Sequence, residues 1–341
     1  LSLNSLKGTK SVIFGLKGLE LSKEEEEFFR SSNPLGFILF ARNCQDKVQV
    51  LKLVDDLKKT VKHDNPPILI DQEGGRVVRL KPPHFRPCPP AKIFADIAEK
   101  DIELAKQAAY LNAFLLGQGL AEFGITVDCA PVADLLIDGA HSIIGDRSYG
   151  QDPYQVAELA ASMCQGLIDA GIVPIIKHIP GHGRAKVDSH EELPIVEANI
   201  PLLKQTDFVP FTELSDAPWA MTAHVVYDAI DALNPGTLSP YIINVIREYI
   251  GFEGIIVSDD LSMKALGGSY KDRTKGSFNA GCDIVLHCNG EMNEMVEIIE
   301  AVPNLNERTK KYIDISNKIN ANKKQIKNAE EDLQKLIALV A

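Results

Sequence analysis

Lys177 and His178 close an apolar run, Ile175-Ile176-Lys177-His178-Ile179-Pro180-Gly181-His182-Gly183, and a further histidine follows in Asp188-Ser189-His190. Histidine titrates near neutrality, so with a carboxylate beside it the imidazole can give and take a proton within one reaction cycle. Asp188 stands two residues before His190, at a spacing that lets it hydrogen-bond and orient the ring. The glycines and the missing apolar periodicity between Gly181 and His190 predict a loop carrying this pair. A solvated loop histidine has the same spacing, so its surroundings decide.

Those surroundings are polar in a particular way. Lys177 at a strand end needs an anionic or hydroxyl-rich partner, because a buried ammonium is otherwise costly. For Lys177 and His178 both to reach one ligand the backbone must bend, and Pro180-Gly181 is positioned to bend it. Asp71-Gln72-Glu73-Gly74-Gly75-Arg76-Val77-Val78-Arg79 sets two carboxylates and two guanidinium groups about a Gly-Gly pair. Such groups make paired hydrogen bonds to sugar hydroxyls, and glycine allows close backbone approach. Ile144-Gly145-Asp146-Arg147-Ser148 repeats the mixture. Ser258-Asp259-Asp260 ends another apolar run; a carboxylate held there near Lys177 and arginines would suit a nucleophile, and chemistry alone does not choose between the two aspartates.

Eight β-branched or apolar runs must position these residues: Ser11 to Phe14, Gly36 to Phe40, Pro67 to Asp71, Ile125 to Pro131, Pro174 to His178, Ala220 to His224, Gly254 to Asp259 and Cys282 to Cys288. Helical periodicity separates them, at Lys23 to Arg30, Asp46 to Val61, Asp101 to Phe123, Asp152 to Ala170, Leu202 to Leu214, Ser239 to Tyr249 and Gly276 to Ala280. Continuous apolar strands are buried on both faces, which predicts a parallel sheet, and eight β/α repeats predict a single-domain α/β fold, a (β/α)8 barrel of the TIM type. An open doubly wound sheet would want a G-x-G-x-x-G turn, which Gly15-Leu16-Lys17-Gly18 does not supply. In a barrel Asp71, Asp128, Lys177, His178, His224 and Asp259 would converge at the C-terminal strand ends. The expected organisation is a catalytic barrel over residues 1–303 and a helical extension over 304–341 packed on it. The proline-rich stretch Lys81 to Pro90 is expected to cross the barrel's mouth or side.

The 341 residues carry a formal net charge of -11, which argues against nucleic acid or an anionic membrane surface as a partner and favours a small molecule. Six cysteines without a C-x-x-C pair suggest neither a disulfide framework nor a zinc site. No apolar run approaches the roughly 20 residues of a membrane span, and Leu1 to Lys10 show no secretory pattern, so the cytoplasm is the expected compartment.

At Asp71-Gln72-Glu73-Gly74-Gly75-Arg76-Val77, Ile144 to Ser148, Lys177 to Gly183, Asp188-Ser189-His190, Met221-Thr222-Ala223-His224 and Ser258 to Met263, the chain resembles the glycoside hydrolase family 3 β-N-acetylglucosaminidases of peptidoglycan recycling, the NagZ type. Ile179 stands where Phe or Met is more usual. The resemblance implies a retaining hydrolase without cofactor or metal, acting on terminal β-linked N-acetylglucosamine of 1,6-anhydromuramyl fragments. It implies Asp259 as nucleophile and His190, paired with Asp188, as acid/base in place of a second carboxylate. Asp71, Arg79, Arg147, Lys177 and His178 would then hold the sugar hydroxyls.

Two rival readings share the barrel. A metal-dependent hydrolase would draw ligands from His178, His182, His190, His224 and Asp259, but no H-x-H pair lies at an early strand and Lys177 would repel a cation. A non-catalytic sugar-binding barrel would bind N-acetylglucosamine without turnover.

Overall fold

A computed structural model describes residues 6–189 and 191–340; His190 lies outside the described residues. Eight strands, β1 (Lys10–Phe14), β2 (Pro34–Leu39), β3 (Ile68–Ile70), β4 (Val127–Asp128), β5 (Val173–Ile179), β6 (Trp219–Thr222), β7 (Ile255–Asp260) and β8 (Ile284–His287), pair in parallel in chain order, and β8 closes on β1. This is the (β/α)8 barrel expected from the eight apolar runs.

Burial on both faces explains why those runs do not alternate with polar residues. Ile13, Ile38, Leu69, Val127, Ile175, Met221, Val257 and Leu286 form one buried cluster inside the barrel. Their strand neighbours Val12, Phe37, Ile70, Ile176, Ala220 and Ile256 belong to a second cluster, beneath the surrounding helices. The helix Glu307–Ala321 closes the N-terminal end of the barrel. Its Ile313 joins the interior cluster, its Ser316 Oγ accepts from Trp219 Nε1 at 2.9 Å, and its Asn320 Nδ2 donates to the carbonyls of Thr126 and Gly171.

Most helices start where expected; that at Lys23–Ser32 does so because Ser22 and Glu25 form a reciprocal capping box. The expected helix from Leu202 to Leu214 is instead two, Ile200–Gln205 and Val209–Glu213. Pro210 has no amide hydrogen to donate to the Thr206 carbonyl, so a continuous helix would lose a bond there, and Arg184 binds Asp207 and Thr206 in the gap. Two further helices, Ala91–Ala98 and Met292–Ile299, lie outside the segments of helical periodicity. The proline-rich stretch lies along the barrel's side, where Phe85 meets Phe123 edge-on and Arg86 donates to Asn112. All six cysteines are free. Among the described residues no helix is long and apolar enough to cross a membrane.

Candidate active site

A cavity at the C-terminal strand ends is lined by Asp71, Glu73, Arg79, Arg147, Lys177, His178, His182, Ser189, Asp259 and Asp260, with Phe40, Met221 and Met263 among its apolar walls. Five of these side chains form one network. Lys177 Nζ lies 2.9 Å from Asp71 Oδ1 and 2.6 Å from Glu73 Oε1. Arg147 grips Glu73 through two bonds, 2.7 and 2.9 Å, and Arg79 Nη2 reaches Asp71 Oδ2 at 3.1 Å.

Three cations against two carboxylates settle the charge states. Burial pushes Asp71 up, but Lys177 and Arg79 overcome it and hold the acid well below the usual carboxylate range. Glu73 is held at about 2 in the same way, by Lys177 and Arg147. Burial opposes the charge on Lys177, and Asp71 with Glu73 more than restores it, so the ammonium titrates above its ordinary value. The cavity therefore offers fixed donors and fixed acceptors side by side, which suits a ligand rich in hydroxyls. Gly74 permits the turn between them: it sits at φ +110°, and a Cβ there would lie 2.2 Å from the Pro89 carbonyl oxygen.

Consecutive side chains facing one cavity require a break in strand alternation, and two occur. The register of β5 against β6 shifts between Lys177 and Ile179, turning both Lys177 and His178 inward; the Lys177–His178 and Ile179–Pro180 peptides are cis. The expected bend at Pro180-Gly181 is thus supplemented by a bulge at the two residues themselves. In β7 an extra residue enters between Val257 and Asp260, with Ser258 Oγ accepting the Leu286 amide, and Asp259 and Asp260 both reach the cavity. Bulges of this sort re-aim side chains.

The two aspartates differ in their commitments. Asp260 accepts from the Ser262 amide at 2.9 Å, the Ser262 hydroxyl at 2.5 Å and the Cys288 amide at 3.1 Å, so it ties the β7 and β8 ends together. Asp259 Oδ1 accepts the Asp260 amide at 2.8 Å.

Asp134 is a further carboxylate beside the cavity that the motifs above do not contain. Its carboxylate is fully buried and accepts from His178 Nδ1 at 2.7 Å, from the His178 amide and, at 2.6 Å, from the His182 amide. Despite burial, His178 keeps it ionised below its ordinary value. A carboxylate only accepts, so the His178 ring carries its hydrogen on Nδ1. The signal was faint: an aspartate just past a strand end, in Val132-Ala133-Asp134.

Two residues expected at the mouth are elsewhere. Asp128 is buried on the outer face of β4, where Val127 takes the inward position; it accepts the Gln72 amide, and burial raises its pKa well above the ordinary value. His224 is fully buried behind Asp260 and does not line the cavity. Asp188 is half-buried, next to the cavity-lining Ser189, whose hydroxyl lies 3.1 Å from His182 Nε2. Among the described residues, no group of three or more His, Cys, Asp or Glu side chains converges so as to hold a metal ion. Arg147, next to Asp146 in the chain, pairs with Glu73, while Asp146 pairs with Arg76.

His182 gives the fold an acid-sensitive point. Burial and the neighbouring His178 push its pKa down to about 4, whereas an unfolded histidine titrates near about 6.5. Between those values unfolding takes up a proton, so stability falls as pH falls, by up to about 1.4 kcal/mol per pH unit from this residue. Burial lowers His63 and His224 in the same direction, adding to the slope. Urea unfolding measured across this window should show the decline, and His182→Gln should flatten it; an unaltered slope would assign the loss to other groups.

Fold and cavity together define a barrel enzyme whose site is built for a polyhydroxylated small ligand. The family model of the glycosyl hydrolase family 3 N-terminal domain matches residues 8–320. A beta-hexosaminidase of Tolumonas auensis is 37% identical over 300 residues, covering 86% of this chain and 86% of the relative. One from Alkalilimnicola ehrlichii is 39% identical over 285 residues, 82% of this chain and 80% of its own. The crystal structure of NagZ from Neisseria gonorrhoeae in complex with N-trifluoroacetyl-D-glucosamine aligns with a TM-score of 0.86 at 30% identity, covering 98% of this chain and 99% of that one. The chain belongs to glycosyl hydrolase family 3. It is a glycoside hydrolase, and its relatives are β-hexosaminidases.

Proposed function

We propose that the chain is a retaining β-N-acetylglucosaminidase that releases terminal N-acetylglucosamine from 1,6-anhydromuramyl fragments during peptidoglycan recycling in the cytoplasm. Asp259 attacks the anomeric carbon while His190, oriented by Asp188, gives its proton to the departing glycosidic oxygen. The C1–O bond breaks as the C1–Asp259 ester forms. Neutral His190 then takes a proton from water, whose oxygen displaces Asp259 from C1 and restores the original configuration. Asp71, Arg79, Arg147, Lys177 and His178 hold the sugar hydroxyls, and residues 304–341 serve as a helical extension of the catalytic barrel of residues 1–303.

One observation carries this reading: the cation–carboxylate network and Asp259 line the same strand-end cavity. The relatives' names support an aminosugar rather than another polyol. Turnover of N-acetylglucosaminyl-1,6-anhydromuramic acid should exceed that of chitobiose by at least about tenfold in kcat/KM, a margin of roughly 1.4 kcal/mol. Equal or reversed values would remove the recycling substrate while leaving hexosaminidase activity in place. Absence of release from either, and from 4-nitrophenyl β-N-acetylglucosaminide, would remove both.

A further inference from the structure

Behind the wall that carries Asp259, hydrogen bonds form a loop through three side chains that have no exposed surface, Thr222, His224 and Thr237. The Asp259 amide nitrogen lies 3.3 Å from Thr222 Oγ1, Thr222 Oγ1 lies 2.7 Å from Thr237 Oγ1, and Thr237 Oγ1 lies 2.7 Å from His224 Nδ1. His224 Nε2 closes the loop at 3.0 Å from the Asp260 carbonyl oxygen. None of the three lines the cavity, whereas Asp259 does.

The direction of every bond follows from its fixed ends. A carbonyl only accepts, so His224 carries its hydrogen on Nε2. Burial lowers the His224 pKa, which leaves the ring neutral near pH 7 and Nδ1 an acceptor. Thr237 must then donate to Nδ1 and Thr222 to Thr237, while the Asp259 amide donates to Thr222. Thr237 could turn to the Ala223 carbonyl, but that oxygen is 3.4 Å away and the choice would leave the buried Nδ1 without a donor.

We propose that Thr237 and His224 are positioning residues for Asp259, acting through Thr222 and the Asp260 carbonyl to fix where the attacking carboxylate stands. The inference rests on the assignment of Asp259 as nucleophile made above. Its physical reason is local. The β7 bulge takes this segment out of regular pairing with β8, where a side chain, Ser258 Oγ, receives the Leu286 amide. The loop grips the amide on one side of the Asp259–Asp260 pair and the carbonyl on the other. Misplacement of a reacting group by about 1 Å can cost about a hundredfold in rate.

Thr237→Val keeps the shape and removes both hydrogen-bonding functions, whereas Thr237→Ser keeps the hydroxyl. With 4-nitrophenyl β-N-acetylglucosaminide, Thr237→Val should lower kcat by about 10- to 100-fold and slow trapping by a fluorinated aminosugar equally, with the Kd for free N-acetylglucosamine within about threefold of the parent. Thr237→Ser should recover most of the rate. Trapping of Thr237→Val at the parental rate, or parallel loss of kcat and sugar binding, would overturn the inference. Nitrogen-15 spectra of the unaltered enzyme test the loop without any variant: His224 should remain the neutral Nε2–H tautomer at about pH 7. An Nδ1–H tautomer or an imidazolium would also overturn it. Peptide mass of the trapped parent separates the two claims, since a label away from Asp259 defeats the nucleophile assignment, while a label on Asp259 with unaffected Thr237→Val defeats only the positioning role.

Discussion

Asp259→Asn is expected to lower kcat for 4-nitrophenyl β-N-acetylglucosaminide by at least about a thousandfold while leaving the Kd for N-acetylglucosamine close to that of the parent. The amide has the size of the carboxylate and lacks its nucleophilic oxygen, so sugar binding survives and the covalent step does not. Asp260→Asn supplies the contrast. Its carboxylate accepts three hydrogen bonds from Ser262 and Cys288, and an amide would turn an NH2 group toward at least one of those donors. That variant should lose stability and about 10- to 100-fold in rate through displacement of its neighbour, yet still be labelled at position 259 by a fluorinated aminosugar. Rates for Asp259→Asn within a few-fold of the parent, with intact-mass measurement excluding reversion to Asp, would show that another group attacks.

Much of this site could be read from the chain because burial and polarity conflict at strand ends. Ile175-Ile176 followed by Lys177-His178, and Ile255-Ile256-Val257 followed by Ser258-Asp259, are apolar because both strand faces are covered, and they stop being apolar where the barrel opens. Asp128 departs from the mouth for a reason the strand period supplies: with Val127 inward, strict alternation turns Asp128 outward. For Lys177 and His178 the same period fails, since the register shift that turns both inward arises from pairing with β6 and leaves no local signature. Asp134 and Thr237 were hidden for another reason. Each looks like an ordinary loop residue, and its burial is created by partners brought from elsewhere, His178 and His182 for Asp134, Thr222 and His224 for Thr237. His224 illustrates the intermediate case, a histidine recognisable as unusual whose role changes once its two ring nitrogens are seen to be occupied by Thr237 and the Asp260 carbonyl.

Lys177→Met should weaken both the fold and the site, and the pH dependence of the loss identifies its cause. The ammonium is almost fully buried and bridges Asp71 and Glu73; without it two buried carboxylates adjoin, each left with one arginine. Removing one partner from a buried ionic network costs about 3–5 kcal/mol, so urea unfolding near neutrality should show a decrease of that order, alongside loss of sugar binding. In the parent, the depressed pKa values of Asp71 and Glu73 contribute stability above the unfolded values of about 3.9 and 4.3, and that contribution is lost as pH falls toward the folded values, about 2 for Glu73 and lower for Asp71. Deleting Lys177 raises both folded values, so the variant relieves its repulsion by taking up protons at a higher pH than the parent does. The gap between the two proteins should therefore be widest near pH 7 and narrow as acid is added. Arg79→Met is the control, because Arg79 is a quarter exposed and touches only Asp71 within the network, and its loss should be smaller. A gap for Lys177→Met that stays constant from about pH 7 to about pH 4 would assign the loss to packing of the lysine stem instead of to the two carboxylates it holds apart.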